Sequence, residues 1–104
     1  MNFPYEFKDI IINYNNRNFN VALKLLNNFS NKEKFKNLKI KLYASIYFLT
    51  GQWSRSLSYH NKLLAMQDGS FEDYNNLAVT LFNLGKIKEA IIFFRKCIEK
   101  NKNA

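Results

Sequence analysis

The chain predicts an all-α fold of paired helices, and three observations carry that expectation. Apolar residues recur at i, i+3, i+4 and i+7 on both sides of short breaks, the spacing that lines one face of a helix. Two of the breaks hold glycines, Gly51 and Gly85, which stand 34 residues apart. The residues around those glycines repeat at the same interval, and a further step of 34 back falls on Arg17 within NYNNRNFNVALKLL. Such a period decides the architecture before any single element is read.

Each 34-residue segment has room for two helices of about 12 to 15 residues and a turn. The expected helices run 4–16, 20–30, 35–50, 53–67, 71–84 and 87–101. The first carries Phe7, Ile11 and Tyr14 at i, i+4 and i+7, and the second follows with Phe19, Ala22, Leu23 and Leu26. Ile40, Tyr43, Ala44 and Tyr47 mark the third, and Trp53, Ser56, Leu57 and His60 the fourth. Tyr74, Leu77, Ala78 and Leu81 mark the fifth, and Ile87, Ala90, Ile91 and Phe94 the sixth. In register, Tyr14, Phe48 and Phe82 are aromatic before the turn, and Phe19, Trp53 and Ile87 are bulky two residues after it.

Gly51 and Gly85 fall where a helix must end in a left-handed residue, which glycine adopts without a Cβ clash. Arg17 fills that place less comfortably. Ala22, Ser56 and Ala90 stand where two helices of a hairpin cross closely, and a small side chain there leaves space for the opposing bulky ones.

A 34-residue helix-turn-helix period with these residues resembles the tetratricopeptide repeat, whose pattern is W-x2-L-G-x2-Y, then A-x3-F, then a late Pro. The last segment matches best: Tyr74, Leu77-Ala78, Leu81, then Ala90 and Phe94, with Cys97 at a place where a small residue is usual. The middle series is Ile40, Tyr43-Ala44, Tyr47, Ser56 and His60. The first is degenerate, with Glu6, Asp9-Ile10, Asn13, Ala22 and Leu26, and the late Pro is missing from all three. The resemblance implies one domain over 1–104, with repeats of approximately 3–36, 37–70 and 71–104. It also implies a right-handed superhelix whose first helices line a concave groove.

Carried over by register, the groove residues are Phe7, Ile11 and Tyr14; Lys41, Ser45 and Phe48; and Asn75, Val79 and Phe82. An aromatic and apolar lining of this kind suits an amphipathic helix or an extended apolar segment. Tyr14, Phe48 and Phe82 also fit as plain packing residues. Some relatives clamp a partner's terminal carboxylate from places that fall here at Phe7, Ile11, Leu42, Glu72 and Asn76. Only Asn76 suits that role, and Glu72 would repel the carboxylate.

Composition bounds the alternatives. The 104 residues are 47% hydrophobic and 16% aromatic, enough for a single core. Met1 to Phe7 offers no basic start followed by an apolar run, and Ile10 to Ile12 is too short to span a bilayer, so a soluble cytoplasmic protein without membrane insertion is expected. With one cysteine, Cys97, and one histidine, His60, no intramolecular disulfide and no usual zinc cluster is expected. Both residues take inward helix places by register, so core packing is expected of them. No nucleophile, base and orienting carboxylate can be assembled around them. With glycines spread singly at 51, 69 and 85 there is no phosphate loop, and neither a cofactor nor catalysis is expected.

The net charge of +8 admits an anionic partner, but a codon-driven excess of Lys, Asn, Ile, Phe and Tyr accounts for it as well. The segment NKEKFKNLKIK, residues 31–41, sets five lysines against one glutamate and could contact RNA phosphates, with Phe35 stacking on a base. A solvated loop and helix start is the plainer reading.

At the C-terminal side Ile91, Ile92, Phe93 and Ile98 cannot all point into one hairpin, so an apolar edge should stay open. A protein or peptide partner, a second copy (homo-oligomer) or further repeats would cover it. The expected function is a non-catalytic interaction module, a scaffold or chaperone-like adaptor. The alternative is the recognition arm of a larger transferase.

Overall fold

The computed structural model describes residues 5–29 and 35–102. Among them are six α-helices and no strand: α1 (Tyr5–Asn15), α2 (Phe19–Asn28), α3 (Lys36–Leu49), α4 (Trp53–Met66), α5 (Phe71–Asn83) and α6 (Ile87–Lys102). The fold is an all-α set of helical hairpins. Each described helix end falls within one or two residues of its expected place; the expected start at 4 and end at 30 lie outside the described residues.

The 34-residue period is written into the backbone. Arg17, Gly51 and Gly85 have φ of 62°, 72° and 80°. At each, the left-handed residue donates its N–H three residues back, to the carbonyl of Tyr14, Phe48 or Phe82 at 3.0, 3.2 and 3.0 Å. The next N–H, of Asn18, Gln52 or Lys86, reaches five residues back to Asn13, Tyr47 or Leu81 at 2.8, 2.8 and 2.9 Å. This pair of bonds is the Schellman closure, which satisfies carbonyls that the helix end would otherwise orphan. Arg17 therefore adopts the conformation its position requires despite its Cβ, at a cost of about 1–2 kcal/mol.

The chain divides into two compact units, Met1–Lys39 and Ile40–Ala104. In the first, α1 packs on α2, and Phe7, Ile10, Ala22 and Leu26 are buried. The Phe7 ring stands 4.6 Å edge-on from Phe29 and 5.7 Å from Phe35. In the second unit α4 packs on α5 and α5 on α6. Leu77, Leu81 and Ala90 form its buried cluster, with Leu57, Leu64, Phe93 and Phe94 packed around them. Burying each such leucine contributes roughly 1.5–3 kcal/mol.

The three small residues at the crossings, Ala22, Ser56 and Ala90, are all buried. Ser56 Oγ donates to the Ala44 carbonyl at 3.2 Å, so its hydroxyl is satisfied inside the crossing. The helix starts are less regular than the ends. Asn18 and Gln52 cap α2 and α4 without a side-chain bond. Ser70 and Asp73 form a reciprocal capping box on α5: Asp73 N–H donates to Ser70 Oγ at 3.2 Å, and Ser70 N–H to Asp73 Oδ2 at 3.0 Å.

Candidate functional site

The residues expected to line a groove divide by exposure. In the first unit Phe7 is wholly buried among Phe29 and Phe35, so it does not line a surface. The degenerate first repeat uses that place to close its own aromatic cluster. Ile11 and Tyr14 are half-buried, and the Tyr14 ring packs edge-on against Phe19 at 5.9 Å. In the second unit Lys41 and Asn75 are exposed, Ser45 and Val79 half-buried, and Phe48 packs edge-on against Trp53 at 5.6 Å. Phe82 alone among the three register-matched aromatics is open, at 57%.

Phe82 is not alone: several apolar residues half-buried in an earlier repeat have exposed counterparts in the last. Trp53, Leu57 and Leu64 on α4 are half-buried, whereas Ile87, Ile91 and Ile98, each 34 residues on, are 44%, 44% and 56% exposed. Ile92 is exposed too. Phe93 is not: it packs on the Leu77 cluster and stacks on Tyr74 at 6.1 Å, with Lys96 Nζ 5.2 Å from its ring centre. The open edge of α6 is therefore aliphatic, and Phe82 is exposed on α5.

Beside it lies a cleft of about 250 Å³ between the start of α5 and the end of α6, lined by Phe71, Glu72, Asn75, Asn76, Cys97, Ile98 and Asn101. Sequence reasoning named Asn75 as a contact but missed Phe71 and Asn101, since apolar periodicity gives no signal for an amide on an outer face. Cys97 was expected to pack inward. It is half-buried and lines this cleft, because nothing among the described residues covers the end of α6. Two of the five carboxylate-clamp places, Phe7 and Leu42, are buried.

The remaining polar groups hold structure. His60 is buried, as its register predicts, and its Nε2 has no hydrogen-bond partner among the described residues. Burial holds its pKa below the usual imidazole range, with the Asp73 carboxylate opposing in part. Tyr43, Tyr47 and Tyr59 stack at 4.8 to 6.2 Å, with Arg55 over Tyr47 and Lys62 over Tyr59. Burial, then the neighbouring Tyr59 and Tyr47, push the Tyr43 hydroxyl up to about 12, far from any useful base near neutrality.

Asp68 accepts from Tyr74 Oη at 2.9 Å and pairs with Lys100, tying the α4–α5 connection to α6. The hydrogen bond from Lys100 holds its carboxyl below the usual range.

Residues 30–34 lie outside the described residues, which removes part of the basic segment from view. Phe35, which would stack on a base in the RNA reading, is packed on Phe7 and Phe29 at 5.7 and 5.9 Å. Lys39 Nζ donates to the Phe29 carbonyl at 3.2 Å. Among the described residues no group of three or more His, Cys, Asp or Glu could hold a metal ion, and no helix is long and apolar enough to cross a membrane.

Residues 71–104 match the family model of the tetratricopeptide repeat. No curated protein and no solved structure gives a match to the chain.

Proposed function

Since residues 71–104 belong to the tetratricopeptide repeat family, whose members generally mediate protein–protein interaction, we propose that this chain is a non-catalytic interaction module. It binds a peptide or helix through the last two repeats. The outward residues of α3 and α5 (Lys41, Ser45 and Phe48; Asn75, Val79 and Phe82) supply one contact surface, and the aliphatic edge of α6 supplies the other. The observation that carries this reading is the open apolar surface at Phe82, Ile87, Ile91 and Ile98, where earlier repeats bury the matching residues by half. Apolar surface left open in a well-packed repeat is surface available for a partner.

The test is affinity capture with the full chain, followed by mass spectrometry and repeated with Phe82→Ala and Phe48→Ala. A partner held by the wild type and released by Phe82→Ala supports the reading. Identical partner sets for wild type and variants count against it. Because Phe82 is exposed, its truncation leaves the fold intact, which thermal unfolding checks.

A further inference from the structure

The α6 edge can be read more finely because the molecule contains a worked copy of the same surface. Leu57 and Leu64 on α4 pack against Leu77, Leu81 and Ala90 of the next hairpin. Ile91 and Ile98 stand at the same register on α6, with Ile87 matching Trp53, and all three are exposed. At about 100° per residue they share an arc of roughly 40° along about three turns of helix. The aliphatic stripe therefore has the form of a helix-packing seam.

Its border differs from that of the α4 seam. Alongside the stripe, in the neighbouring arc, run Lys88, Arg95 and Lys102, seven residues apart, all exposed and without an ion pair among the described residues. The matching places on and just after α4 are Ser54, Asn61 and Asp68, so the second repeat has no such cationic row. The helix that covers the α4 seam, α5, itself carries Glu72 and Asp73 and no Lys or Arg.

A second copy is a poor occupant, because each brings a net charge of +8 and its own cationic row. The geometry points to an acidic amphipathic helix of a partner protein. Its aliphatic side lies on Ile87, Ile91 and Ile98, and carboxylates at heptad spacing along one flank meet Lys88, Arg95 and Lys102.

This inference rests on the interaction reading above but needs only the edge, and two probes test it. One is a synthetic helical peptide with leucines at i, i+4 and i+7 and glutamates on the flanks; the other carries lysines in place of the glutamates. Fluorescence anisotropy with the full chain at low salt should show the acidic peptide binding at least about tenfold more tightly than the basic one, a free-energy difference that three rim pairs can supply. Added salt should erode the difference. The charge-reversed variant Lys88→Glu, Arg95→Glu, Lys102→Glu should invert the preference.

Ile91→Asp should weaken the acidic peptide at least about tenfold without lowering the unfolding temperature. Equal affinity for the two peptides, or binding indifferent to Ile91→Asp, overturns the assignment. So does a concentration-dependent oligomer that Ile91→Asp dissolves, because it places a second copy on the edge. If edge binding fails while a partner still depends on Phe82, only the edge inference falls.

Discussion

Replacing His60 with leucine should stabilise this protein, although it removes the chain's lone histidine from a helix that packs well. The buried Nε2 has no partner among the described residues, and an unsatisfied buried nitrogen costs about 1–3 kcal/mol. Leu26 fills the same register place in the first hairpin and is fully buried there, so the site accepts an aliphatic side chain. His60→Leu should therefore gain about 1–3 kcal/mol at pH 7.5. At about 4–8 °C per kcal/mol for a domain of this size, the unfolding midpoint should rise measurably.

The pH dependence has a definite sign. Burial depresses the folded-state pKa of His60 below the unfolded value of about 6.5, so above that pH both states are neutral and stability is complete. As the pH falls below about 6.5 the unfolded chain takes up the proton first. Wild-type stability then drops by up to about 1.4 kcal/mol per pH unit until folded His60 also protonates. His60→Leu should be flat by comparison between pH 7 and 5.5. Urea unfolding followed by circular dichroism at several pH values reads both effects. A variant less stable than wild type at pH 7.5, or one with the same loss on acidification, would refute the reasoning.

Other perturbations separate the turns, the crossings and the surface. Arg17→Gly should be neutral or gain up to about 1 kcal/mol in denaturant unfolding, because relief of the left-handed strain is set against glycine's larger unfolded-state entropy; Gly85→Ala should lose about 1 kcal/mol, although nothing lies within 4 Å of the added Cβ. Ala90→Phe should overpack the buried α5–α6 crossing and cost about 1–3 kcal/mol, read as a lower urea midpoint. Phe82→Ala should leave thermal stability nearly unchanged, whereas Phe48→Ala, which removes a ring packed on Trp53, should lower it.

The period was legible because it is carried by residue types that local physics restricts: glycine or a strained substitute at the left-handed turn, small residues at the crossing, and aliphatics at i, i+3 and i+4. Those constraints placed the six helices and the open α6 edge. What escaped was tertiary choice. Phe7 reads as a groove residue by register, but the first hairpin needed its ring against Phe29 and Phe35, and no local pattern distinguishes a ring that closes a cluster from one that faces a partner. Phe35, open to base stacking on sequence alone, closes the same cluster. Cys97 has an inward register yet lines a cleft, because its burial depends on whether another element covers α6. The cationic row of Lys88, Arg95 and Lys102 is visible in the letters but gains meaning only when its neighbours prove to be exposed.

Backbone chemical-shift assignment of the isotopically labelled chain is the most direct test of the repeat on which every functional statement depends. Six helical segments should appear, interrupted after residues 15, 28, 49, 66 and 83, with left-handed shifts at Arg17, Gly51 and Gly85 together. A helix running unbroken through residue 17, or left-handed shifts at the two glycines but not at Arg17, would contradict a three-hairpin repeat.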